Sequence, residues 1–109
     1  MSFDELTERL RAFRHARDWE QYHTPKNLVM ALSGETGELI SLFQWLTPDE
    51  STRVMADPEQ AVKVKDELAD VLLYLVQLAD TLGVDLAKEA HAKIDRNEHR
   101  FPPVAGDSR

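Results

Sequence analysis

Apolar residues along this chain recur at three- and four-residue spacing and nowhere alternate with polar ones, so the pattern predicts helices throughout and no strands. Phe3, Leu6, Leu10 and Phe13 share one face of a first helix. Ser2, with Glu5 three residues on, reads as a capping box that opens it, and it should end near Arg17 or Asp18. Thr24 followed by Pro25 starts a second helix whose stripe is Leu28, Leu32, Leu39, Leu42 and Leu46, and Thr47 with Pro48 stops it. Asp57, Pro58 and Gln60 repeat the start signal for a third helix, which runs to Gly83, a suitable C-terminal cap. Asp85 begins a fourth, ended by Pro102 and Pro103. Residues 47–57 form a polar connection with room for one helical turn. The expected architecture is all-α, a four-helix bundle in a single domain over residues 1–109, with a loose tail from about residue 103.

The third helix contains "ELADVLLYLVQLAD", apolar on most of its circumference. Three short neighbours in one small chain would not cover such a helix on every side, so a homo-oligomer is expected.

Two stripes are interrupted by acids. In the second helix the position that completes the Leu28, Leu32, Leu39, Leu42 seam is Glu35, and Glu38 follows one turn later. In the third, Val64, Val71, Tyr74 and Leu78 form a stripe whose missing member is Glu67, with Asp70 one turn along. The pairs Glu5/Glu8 and Asp95/Glu98 have the same spacing but read as solvated surface. With 20 acidic residues in 109, spacing alone decides little; position in a seam is what separates the two groups. If the second and third helices are antiparallel neighbours, four carboxylates converge. Two unit charges at 4 Å repel by about 4 kcal/mol at an effective dielectric near 20, so protons or a metal must offset them. Oxygen-only donors favour Mg²⁺, with Mn²⁺ as the alternative, over zinc. Gly34 and Gly37, two of only four glycines, stand beside these acids although each costs a helix about 1 kcal/mol, which would leave room for a partner helix or a ligand.

Composition narrows the field. A net charge of −7 disfavours wrapping a nucleic-acid polymer, and any phosphate ligand would need a cation as mediator. With no cysteine, disulfides and thiolate metal sites are excluded. The start "MSFDELTERL" does not read as a secretory signal, and "VLLYLV" is too short to span a bilayer, so a soluble, cytoplasmic protein is expected.

The two acid motifs, "GETGEL" and "DELADVLLYL", stand in order with "RDWEQYHTPKNL" before them and "KIDRNEHRFP" after. Together these blocks resemble the all-α nucleoside triphosphate pyrophosphohydrolases of the MazG-like superfamily, in particular the dCTP pyrophosphatase branch. The resemblance implies Mg²⁺-dependent hydrolysis of a nucleoside triphosphate to monophosphate and pyrophosphate in a MazG-like bundle assembled as a homodimer or homotetramer. It implies that Glu35, Glu38, Glu67 and Asp70 bind metal, that Trp19, Trp45 and Tyr74 surround the base, and that Lys93 and Asn97 face the nucleotide. Attack at the α-phosphorus is an implication of the same kind. In the resemblance, some cytosine-preferring relatives carry a histidine on the first helix where this chain has Leu10.

Several readings of single residues stay open on sequence alone. Trp19 and Trp45 could be packing anchors or stacking surfaces, and His23 a cap or a ligand contact. Lys93, Arg96 and Arg100 also suit the dipole at the end of the last helix, whereas Asn97 interrupts the stripe between Ile94 and Phe101. Glu38 is the favoured general base, although sequence does not separate base from ligand. A di-iron carboxylate bundle would need Glu-x-x-His on two helices, and the only match, Glu20/His23, falls in a loop. A non-catalytic helical oligomerisation module is the remaining alternative, and it leaves both interrupted seams without a cause.

Overall fold

The computed structural model describes residues 2–104, and among these every regular element is helical. Helix α1 (Phe3–Ala16) opens on Ser2, whose side chain accepts from the Glu5 amide at 3.2 Å. Past its end Asp18 takes a left-handed φ of 54°, and a 3₁₀ turn at Glu20–Tyr22 follows. Helix α2 (Pro25–Phe43) is capped by Thr24, which accepts from the Asn27 amide at 3.2 Å. The polar connection holds the expected single turn, α3 (Pro48–Ser51), closed by a reciprocal capping box between Thr47 and Glu50. A 3₁₀ turn at Val54–Ala56 then leads to α4 (Pro58–Leu82), capped by Asp57. Gly83 ends α4 at φ 70°, which lets the amides of Gly83 and Val84 reach the carbonyls of Asp80 and Ala79 at 3.1 and 2.8 Å. Helix α5 (Leu86–Arg100) begins at Asp85, which accepts from the Lys88 amide at 3.1 Å.

The main packing is between α2 and α4, with α1 and the second 3₁₀ turn also resting on α4. Leu28 of α2 is fully buried there, and Ala61, Val64, Val76 and Ala79 of α4 form the rest of the buried apolar core. An ion cluster fastens α1 to the C-terminal half of α4. Asp80 accepts from Arg14 Nη2 at 2.9 Å and from Arg11 Nε at 3.0 Å. Arg14 is itself buried, whereas Arg11 lies open to solvent. The Arg11 hydrogen bond, with a smaller contribution from Arg14, holds the Asp80 carboxyl below the usual aspartate range against the opposing effect of burial.

A single chain does not close the expected four-helix bundle by itself. Among the described residues α5 makes little contact with the other elements, and none of its residues is buried. The radius of gyration is 17.5 Å, against about 13 Å for a compact chain near this length. The physical reason lies in the α5 stripe, where Ala87 and Ala90 offer little area to bury and Ile94 and Phe101 stay exposed. Leu68 and Leu72 of α4 are exposed as well, so the apolar circumference of that helix is covered only in part. Residues 102–104 are exposed and without regular structure, while the remainder of the expected tail, 105–109, lies outside the described residues. No helix among the described residues is long and apolar enough to cross a membrane.

Candidate functional site

Glu35 leaves α2 from within its Leu28, Leu32, Leu39 seam, the face turned to α4, and there it meets Glu67 and Asp70, one helical turn apart on α4. One carboxylate oxygen from each lies within 4.8 Å of the others, and all three residues are half-buried. The crowding has a direct electrostatic effect. The Glu35 carboxyl is pushed up to about 7 by its hydrogen bond with Glu67, then by burial and by the charges of Asp70 and Glu67. Glu67 Oε2 is buried without a hydrogen-bond partner. An electron-pair donor left unpaired among carboxylates fits a cation, and an all-oxygen donor set fits a hard divalent ion. Glu38 stands apart: it is exposed and does not belong to the converging group. Gly34 and Gly37 face open space, since a Cβ at either would meet nothing within 4 Å, so neither is required by packing against α4.

A cavity of about 410 Å³ begins at Asp70 and runs between α1 and α4. Tyr74 and Gln77 continue its α4 wall, and Leu10 and Phe13 face them from α1. Trp19 and His23, in the connection after α1, complete it. Trp19 packs edge-on against Phe13, with ring centres 5.4 Å apart and planes at 72°. The His23 ring is 6.0 Å from that of Trp19, and its Nδ1 is buried without a hydrogen bond. The backbone also holds this wall in place, because the Trp19 amide donates to the Arg14 carbonyl at 3.0 Å.

Of the residues expected from sequence, Glu35, Glu67 and Asp70 thus form a cluster, and Trp19, His23 and Tyr74 line the cavity that adjoins it. Trp45, Lys93 and Asn97 do not line it. Trp45 is 86% exposed at the end of α2, Lys93 is exposed on α5, and Asn97 is half-buried on the same helix. Sequence reasoning missed Gln77, which carries a visible signal as an amide inside the apolar run from Val71 to Leu78. It also missed Arg9 at the cavity wall, for which no sequence signal exists.

An acid cluster between two helices thus adjoins, through Asp70, a cavity with aromatic walls. The chain belongs to the MazG-like family, which matches residues 30–108 and so takes in all of the acid cluster. Among individual proteins, dCTP pyrophosphatase 1 of Homo sapiens is 47% identical over 90 residues, covering 83% of this chain and 53% of that protein. The Bos taurus protein of the same name is 48% identical over 91 residues. The chain spans about half the length of these curated relatives. The crystal structure of a pyrophosphatase from Archaeoglobus fulgidus matches with a TM-score of 0.84 at 39% identity, over 92% of both chains.

Proposed function

We propose that this chain is a single catalytic domain of a soluble, cytoplasmic nucleoside triphosphate pyrophosphohydrolase, acting on dCTP or 5-modified dCTP and so clearing unwanted nucleotides from the pool. The observation that carries the reading is the joining of the Glu35, Glu67 and Asp70 cluster to a cavity walled by Trp19, His23 and Tyr74. The 47% identity to a dCTP pyrophosphatase supports the choice of substrate.

Glu35, Glu67 and Asp70 would hold Mg²⁺, or Mn²⁺ in its place. When bound, the ion supplies positive charge that lets an acidic protein accept a triphosphate and that polarises the phosphoryl oxygens. Glu38, exposed on α2 outside the cluster, would take the proton of the attacking water, and its solvent access suits a base that must pass that proton on. The water oxygen bonds to the α-phosphorus, the bond from that phosphorus to the bridging oxygen breaks, and pyrophosphate leaves with the electron pair. Trp19 and Tyr74 would offer faces for the base, and His23 lines the same cavity.

Trp45, Lys93 and Asn97 do not line the cavity of their own chain, and in the proposed assembly they would reach substrate across an interface between copies. The bare apolar surface at Trp45, Ile94 and Phe101 supports a homodimer or homotetramer. Light scattering at micromolar concentration should give a multiple of 12.5 kDa. A monodisperse monomer would remove the assembly and with it any contact of these three residues with substrate.

The function is tested by a panel of canonical and 5-modified nucleoside triphosphates with Mg²⁺, scoring kcat/KM and the product released. Pyrophosphate is expected, with a cytosine deoxynucleotide as the best substrate. Release of orthophosphate alone would overturn the reaction, and equal rates on purines and pyrimidines would overturn the substrate. Mg²⁺ at a hundred times its dissociation constant should stabilise the fold by about 2.7 kcal/mol by mass action. Thermal melts in EDTA and in millimolar Mg²⁺ check this, and identical midpoints over a wide Mg²⁺ range would argue against a metal held by the native cluster.

A further inference from the structure

Gln77 is the one uncharged amide in the cavity wall, and it is more than nine-tenths buried, at 7% exposure. It lies two helical turns from Asp70 on the same face of α4, about 10 Å along the helix axis at 1.5 Å per residue. One end of the cavity is therefore the acid cluster, and the other holds a neutral group able to donate and accept. On the α1 wall Leu6, Leu10 and Phe13 have nothing to hydrogen-bond with, and Arg9 offers donors only, which suit a carbonyl rather than an amine. Aromatic faces such as Trp19 accept any base, so discrimination has to come from a fixed hydrogen bond.

The amide is fixed. Gln77 Nε2 donates to the Leu73 carbonyl at 3.1 Å, one turn back along α4, and no donor among the described residues reaches Oε1. That bond leaves Oε1 as an unclaimed acceptor in a cavity wall. A base edge complementary to an acceptor carries an amine, as cytosine does at N4, whereas the O4 of uracil or thymine would set oxygen against oxygen.

Building on the proposed nucleotide site, we infer that Gln77 is a specificity-determining residue, whose Oε1 accepts a hydrogen bond from the exocyclic amine of cytosine and so selects it over uracil and thymine. A residue that merely satisfied its own helix through Leu73 would leave base preference unchanged when replaced. The test compares Gln77→Met and Gln77→Leu, both close in volume, with the wild-type chain after melts confirm that they fold. Calorimetry with Mg²⁺ measures binding of dCMP and of dUMP, which needs no turnover.

The wild-type protein should prefer dCMP, and each variant should lose about tenfold in dCMP affinity, the worth of one neutral hydrogen bond, with dUMP changed less than about twofold. The kcat/KM ratio of dCTP to dUTP should collapse by the same factor. A wild-type protein indifferent to the two monophosphates, or variants that keep its ratio, would overturn the inference. Absence of pyrophosphate release from every triphosphate would instead overturn the reaction, and the binding ratios would still decide the role of Gln77.

Discussion

Glu67→Gln should reduce pyrophosphate release by about a thousandfold or more while leaving a folded helical protein. Loss of an outer partner of a metal site costs about 10- to 100-fold, and Glu67 stands inside the cluster rather than behind it. The substitution keeps the shape of the side chain and removes its charge, so α4 loses no packing. It also removes a repulsion, and the metal-free variant should melt no lower than the metal-free wild type. Glu38→Gln should be comparably inactive but should retain Mg²⁺-dependent stabilisation, because Glu38 lies outside the converging group. The comparison separates a ligand from a base, which position along the chain does not. Full turnover in both variants would sink the assigned mechanism.

The second large effect concerns stability. Asp80→Ala leaves the buried Arg14 guanidinium without its counter-charge, a change that costs about 3 kcal/mol or more. Denaturant titration of the variant should show the loss, and pairing it with Arg14→Met should recover much of it, since two apolar groups leave no orphaned charge. The same contact predicts the direction of acid sensitivity. The Asp80 pKa is lowered in the folded state, so its stabilisation is fully present above the ordinary aspartate value of about 3.9 and is lost as pH falls below it. An Asp80→Asn chain should accordingly show a flatter stability profile than the wild type below pH 4. A profile as steep as that of the wild type would place the acid-sensitive contact elsewhere.

Much of the candidate site was legible because helices expose their errors. A carboxylate at a seam position stands out against the 3.6-residue period, and Glu35, Glu67 and Asp70 do meet where their seams predict. The caps at Thr24, Asp57 and Asp85 were readable for a related reason, since each is a local bond between residues two or three apart. The pairing of Arg14 with Asp80 was not, because it joins positions 66 residues apart whose types carry no mark of one another. Glu38 has the same spacing to Glu35 that Asp70 has to Glu67, yet Asp70 joins the cluster and Glu38 does not, so an i, i+3 pair shares a face without telling which member reaches the neighbouring helix. The place of α5 was hidden too, because periodicity reports that a face is apolar and says nothing of which chain covers it.

Gly34 and Gly37 bear on how firmly the acid cluster is held. They put two poor helix formers into the same turn of α2 as Glu35 and Glu38, and the flanking hydroxyls add to the effect, with Thr36 bonding back to the Leu32 carbonyl at 2.9 Å and Ser41 to that of Glu38 at 2.6 Å. Across from them, α4 carries Glu67 and Asp70 in a stretch with no glycine before Gly83. The cluster is therefore built from one stiff rod and one compliant one. Transient opening of α2 near residues 34–38 would carry Glu35 away from the other two acids while α4 stays intact, so backbone amides there should exchange with solvent faster than those around Glu67, and the spacing of the carboxylates can adjust to an ion by flexing on one side only.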